Sequence, residues 1–409
     1  MNAATNQRFE SLDAIRGVAV MGILAMNIVA FALPFSAYSN PAAGGPPASA
    51  DLATWVFDFV FVDSKMRGLF SLLFGASTLL VIERAAAQGR SPAAAHYARM
   101  IWLALFGLAH FYLIWFGDIL FLYAMCGLLL FLFRNLSIKA LLWWAAGFFL
   151  LDFALFFGLW SGLVAAASGA APDMQDALTQ IHEEMGADSP TYAQQVALHL
   201  GRYADLLAYR TTEQLDEPVQ GVLVMLWETM GLMLTGMALF RAHMLTGEWP
   251  VARYRKWAIV SFTVTIPPLA ALAAWQIGAG FDAVTVFGAT AALSLPFDLV
   301  MTLGWAALIL WLIAVTASDA ARARLAAAGR MAFTNYLMTS IVMTTIFYGY
   351  GLGLFGSVGR AALYLFCFGM WAAMLLWSKP WLDRFHYGPF EWLWRSLARA
   401  RPQPMRRRY

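Results

Sequence analysis

Runs of about twenty apolar residues recur along this chain, and its charges collect between them. Such runs match the hydrocarbon thickness of a bilayer, because an α-helix rises about 1.5 Å per residue. Of the 409 residues, 61% are hydrophobic and 12% charged, against about 25% charged in a soluble domain. The chain therefore reads as an all-α, polytopic membrane bundle. The runs at 15–35, 65–83, 99–116, 118–133, 140–165, 219–240, 257–277, 294–316, 332–350 and 360–378 make ten spans. The first is longer than a typical leader's apolar core and is read as a retained span.

Interruptions refine that plan. Asp63, Lys65 and Arg67 break the second apolar stretch, so a short interfacial helix should feed a membrane helix from about residue 65. Pro267-Pro268 should kink or break the seventh span. Residues 167–218 carry nine acidic residues against two arginines, patterned as two amphipathic helices at about 173–186 and 190–210. Four segments follow: a five-span bundle at 1–166, the acidic insertion at 167–218, a second five-span bundle at 219–378, and a basic aromatic tail at 379–409.

Charge placement orients the bundle. With both termini in the cytoplasm, 22 of the 27 Lys and Arg fall on cytoplasmic segments, and the acidic insertion lies outside. The tail then anchors on anionic lipid. Nothing in the pattern of basic residues suggests nucleic-acid binding. Cys126 and Cys367 lie in apolar runs, with no disulfide framework and no metal-ligand spacing. No metal is expected.

Few residues are left to carry chemistry. An ionisable group in hydrocarbon is costly and calls for a reason. His110 opens the stretch HFYLIWFGD, which ends on Asp118 at a tight turn. A neutral histidine acts as a base when a carboxylate orients its other nitrogen. Asn27 lies roughly 18 Å up the first span and His110 roughly 17 Å up the third, so the two share a level. Asn27 can steady an oxyanion. Lys65 and Arg67 can draw in an anionic group from outside, and Glu228 lies at the same depth. Each also has a plainer reading: interhelical hydrogen bonds for His110 and Asn27, snorkelling for the cations, an N-cap for Asp118 and a protonated packing group for Glu228. His96, His182, His199, His243 and His386 are read as solvated residues of loops and tails.

Four motifs together resemble the YeiB family of bacterial membrane proteins: RFESLDAIRGVAVMGILAMNI, SKMRGLFSLLFGAS, HFYLIWFGDILFLYAMCGLLL, and the end from GRMAFTNYLMTS to WLDRFHYGPFEWLWR. That family is more remotely similar to transmembrane acyltransferases, including heparan-α-glucosaminide N-acetyltransferase and the acyltransferase-three family. The latter has an arginine, ten residues, then a histidine on its first span. Arg16 and Asn27 occupy that frame here. The lysosomal enzyme also has asparagine there, with its catalytic histidine in the loop before span 2. This chain has no histidine in that loop, which leaves His110 on the third span for the role. The resemblance implies a bacterial inner-membrane enzyme that moves an acyl group from cytoplasmic acetyl-CoA or another acyl-CoA to a small-molecule acceptor in the envelope. Arg16 would meet the donor's phosphates, with His110, Asn27 and Asp118 at the reacting centre. It also implies a homodimer among membrane lipids. The alternative is a transporter or flippase for a small amphipathic or anionic solute.

Overall fold

The computed structural model describes residues 10–315 and 318–407. Residues 1–9, with Arg8, and residues 316–317 and 408–409, with Arg408, lie outside it. Among the described residues the chain is helical, and the only extended pairing is one antiparallel bridge between Phe385 and Arg406.

The apolar runs become helices because a backbone in lipid must satisfy its own N–H and C=O groups. The first half runs α1 (Glu10–Ala32), α2 (Phe35–Ser39), α3 (Ser49–Phe57), α4 (Lys65–Ala87), α5 (Pro92–Leu113), α6 (Leu120–Leu130) and α7 (Ile138–Ala167). The insertion holds α8 (Gln175–Met185), α9 (Tyr192–Leu200) and α10 (Tyr203–Thr212). The second half follows with α11 (Glu217–Arg241), α12 (Val251–Gly278), α13 (Ala283–Phe287), α14 (Leu295–Val315), α15 (Asp319–Arg330), α16 (Ala332–Phe347), α17 (Arg360–Arg384) and α18 (Pro389–Ala398). Seven of these stretches are long and apolar enough to cross a membrane, counting α3 and α4 as one; the segments at 120–133, 283–293 and 332–347 are shorter apolar helices. The protein is a multi-pass membrane protein.

Burial separates a spine from a rim. Helix α1 is the most enclosed, with 72% of its apolar window buried against 11% for α7. The rim presents Trp143, Leu150, Leu155, Val264, Leu365 and Leu376 outward, a coat suited to lipid tails. The spine packs through glycine. A Cβ on Gly75 of α4 would meet the Met233 carbonyl of α11, and one on Gly236 of α11 would meet the Leu72 carbonyl of α4. Gly17 of α1 and Gly329 of α15 make the same kind of contact, against Leu325 and Asp13. Small residues let membrane helices approach to backbone contact, where dispersion replaces the hydrophobic drive that lipid does not supply.

Three expectations need correction. Helix α12 runs unbroken through Pro267 and Pro268. Pro267 lies on its exposed face, and twenty-eight residues of helix outlast two missing N–H donors. The insertion holds three helices, because the chain turns at Gly201 between α9 and α10 and the Gly349 N–H caps the His199 carbonyl at 2.8 Å. His96 and His199 are buried, not solvated. His96 Nε2 meets the Gly127 carbonyl at 2.7 Å, and His199 stacks on Phe355 with ring centres 4.4 Å apart. Cys126 and Cys367 are free and buried.

Candidate functional site

Helix α5 ends one turn short of a sharp reversal, and that reversal brings Asp118 back beside His110. His110 Nδ1 lies 2.9 Å from Asp118 Oδ1, with both side chains almost wholly buried. The second carboxylate oxygen accepts the Phe121 N–H at 2.8 Å in the first turn of α6. Asp118 therefore caps a helix and orients an imidazole at once. With the imidazole neutral, a carboxylate that only accepts places the hydrogen on Nδ1 and leaves Nε2 its lone pair. Nε2 is buried and has no hydrogen-bond partner. That is the electronic state of a general base. A fully paired histidine would be structural.

Tyr336 of α16 packs against the imidazole at 5.1 Å between ring centres. Its hydroxyl accepts the Ile119 N–H at 3.3 Å, which ties α16 to the turn. On its other side Tyr336 lines a small cavity with Asn27, Phe31, Thr339 and Ser340. The cavity holds about 10 Å³, room for one water. Asn27 and His110 thus flank the same tyrosine from separate helices, and Asn27 alone of the two faces the cavity. Trp115 stacks on Phe31 at 3.9 Å nearby, with its indole N–H buried and unpaired.

The cations of α4 are held differently. Lys65 is 1% exposed; it does not reach for an interface. Its Nζ lies 2.7 Å from Asp298 Oδ1 of α14. The angle is off a straight hydrogen bond, but at that distance two buried charges form an ion pair. Arg67 Nη2 meets Glu228 Oε2 of α11 at 2.6 Å, leaving Nη1 buried and unfilled. Tyr123 and Ser71 share a 2.6 Å hydrogen bond beside it. Beyond Lys65, Tyr364 donates to Asp58, and Arg360 donates to the Ala37 carbonyl. Arg16 sits towards the other end of α1, with Nη1 on Asp13 at 3.0 Å and Nη2 on Ser77 at 2.6 Å. It is some way from the His110–Asp118 pair along the bundle, since eleven residues of helix separate it from Asn27.

Sequence reasoning passed over Asp298, Tyr336, Asp58 and Tyr364. Asp298 carried a readable signal, a lone carboxyl inside the run LPFDLVMTLGW. Tyr336 carried none, because a tyrosine in an apolar helix is ordinary packing.

Comparison with known proteins places this architecture. The Escherichia coli (strain K12) "Uncharacterized protein YeiB" is 32% identical over 405 residues, covering 96% of each chain. The chain belongs to the YeiB family. "Uncharacterized protein YxaH" of Bacillus subtilis (strain 168) is 31% identical over 98% of this chain and 96% of its own. A Bacillus acidopullulyticus relative, "Uncharacterized 39.9 kDa protein in amylase 3'region", is 25% identical over 98% of this chain and 97% of its own. The family described as "Protein of unknown function (DUF418)" matches residues 239–401, from the end of α11 through α18. No solved structure matches this chain. In the YeiB-family chain described here, His110 and Asp118 lie outside that matched region, in the first bundle.

Proposed function

We propose that this protein is a membrane acyltransferase that moves an acyl group from a cytoplasmic acyl-CoA to an acceptor on the outer side of a bacterial inner membrane. The observation that carries the reading is the pairing of His110 Nδ1 with Asp118 beside an unpaired, buried Nε2. In this reading the seven long stretches, with α5, α6 and α16, make ten spans with both termini inside. The Lys and Arg balance supports that orientation.

The chemistry is a nucleophilic substitution at a thioester. His110 Nε2 takes the proton from the acceptor's hydroxyl or amine. The freed oxygen or nitrogen forms a bond to the acyl carbon, and the Asn27 amide N–H donates to the oxyanion that develops. The carbon–sulfur bond then breaks, and the leaving thiolate takes the proton from the imidazolium. Asp118 stays ionised and holds the ring in one tautomer. Arg16, 22% exposed at its side chain, meets the donor's phosphates. Arg67 Nη1 beside Glu228 has a hydrogen to give an anionic acceptor, while Lys65 is already matched by Asp298. The cavity at Asn27 has room for about one water, so the thioester enters only when α1 and α16 part.

His110→Ala tests this in proteoliposomes supplied with acetyl-CoA. Loss of a positioned base should cut acyl transfer by about 10²- to 10⁴-fold. Turnover equal to the parent's would refute the assignment. Transport of a small amphipathic or anionic solute is the second reading. The Lys65–Asp298 and Arg67–Glu228 pairs favour it, since charges inside a membrane often mark solute pathways. It predicts solute flux without thioester consumption.

A further inference from the structure

Arg210 is a buried cation without an anion. It is 2% exposed, and its Nη2 is buried with no hydrogen-bond partner. The insertion around it is acidic, yet none of those carboxylates pairs with it among the described residues. Asp205, on the same helix, binds Arg202 at 2.9 Å instead. A guanidinium cannot shed its proton to escape burial, and an unpaired buried charge is strongly unfavourable. Such a group persists where something binds it.

The surroundings are built for polar contact at one point. Arg210 acts on the Tyr348 hydroxyl, which is itself fully buried and unpaired by strict geometry. Tyr350 and His199 also lie within reach of its charge. His199 Nδ1 is committed to the Gln195 carbonyl at 2.8 Å, and its ring is stacked on Phe355, so it forms a neutral wall. The loop overhead is fixed: Gly349 N–H binds the His199 carbonyl and Gly356 N–H binds the Ala32 carbonyl, both at 2.8 Å. A Cβ at Gly349 would collide with the Leu200 carbonyl, so only glycine lets this loop close over α9. The result is a buried pair of donors within reach of each other, the Arg210 guanidinium and the Tyr348 hydroxyl, framed by aromatic rings.

We infer that Arg210 and Tyr348 form an oxyanion-binding site for a phosphate-class group at the insertion end of the bundle. Arginine's planar fork suits two oxygens of one phosphate, and the tyrosine hydroxyl supplies a third hydrogen. The inference does not depend on acyl transfer. The site fits either free phosphate or the phosphodiester of an anionic lipid.

Thermal unfolding of the full chain in detergent reads the site. Inorganic phosphate, compared with chloride at equal ionic strength and neutral pH, should raise the midpoint saturably, since a ligand of the folded state stabilises it by mass action. Arg210→Gln should abolish the rise, and Tyr348→Phe should leave it but require about tenfold more phosphate. Arg210→Lys, which keeps charge and loses the fork, should also weaken the response, and it serves if the glutamine variant does not fold. Nanodiscs of phosphatidylglycerol against phosphatidylcholine separate the sources. Protection by phosphatidylglycerol alone that Arg210→Gln removes assigns the site to a lipid headgroup, and protection by soluble phosphate assigns it to a free ligand. Equal midpoints in phosphate and chloride with no lipid preference overturn the inference. So does a response that survives in both Arg210 variants. Neither result touches the His110→Ala assay.

Discussion

Lys65 and Arg210 are both cations sealed inside the same protein, and only one has a counter-charge. Lys65 starts α4 in the bundle, where Asp298 crosses from α14 to meet it at 2.7 Å. Arg210 lies near the end of α10 in the insertion, beside the buried Tyr348 hydroxyl. The bundle matches its charge internally, as a scaffold in lipid must. The insertion leaves a mismatch, as a binding surface does. Burial alone separates neither role; the presence or absence of the partner does.

The sharpest way to break the comparison is to remove the partner that exists. Asp298→Asn strands the Lys65 charge and should cost about 3–5 kcal/mol of stability. Denaturation in detergent micelles measures it. An unchanged curve would mean that Lys65 finds relief elsewhere and that the two cations are alike. Lys65→Met combined with Asp298→Leu should recover most of that loss, and the double-mutant cycle gives the coupling directly.

Acid is the next lever. Burial first, with the Arg210 charge adding, pushes the His199 imidazole down to about 4 despite its bond to the Gln195 carbonyl. An unfolded histidine takes a proton near pH 6.5. A lowered folded pKa means stability is complete above about 6.5 and is lost as pH falls towards 4. Between pH 6.5 and 5 the wild type should lose at most about 2 kcal/mol more than His199→Phe, which cannot take up the proton. Parallel pH curves for the two would show that His199 is charged or hydrated in the fold.

Arg210→Gln carries the smallest stability change. With no partner to strand, it should leave the phosphate-free midpoint unchanged or slightly higher. A fall as large as that of Asp298→Asn would show an undetected anion inside the protein and erase the contrast.

The chain announced some of this. The length of the apolar runs pointed to helical membrane spans, because hydrocarbon thickness and helix rise fix how many residues a span needs. His110 with Asp118 was legible as a costly pair eight residues apart around a turn, and the carboxylate does cap α6 as well as hold the ring. The rest depended on which faces meet. Pro267 and Pro268 read as a kink or a break, and no break occurs: a long helix with Pro267 facing outward carries both. His96 and His199 read as solvated because their segments are short and mixed, and their burial comes from Phe131 and Phe355 far along the chain. The Lys65–Asp298 pairing spans more than two hundred residues of sequence, and no local pattern encodes it.

The glycine seams have a mechanical consequence. Where Gly75 and Gly236 bring α4 and α11 to backbone contact, and Gly17 and Gly329 do the same for α1 and α15, no side chain can rotate aside to let the helices slide. Each pair behaves as a welded beam. Any widening of the small space beside Asn27 would therefore have to come from α16, the shorter apolar helix along that wall, and not from α1.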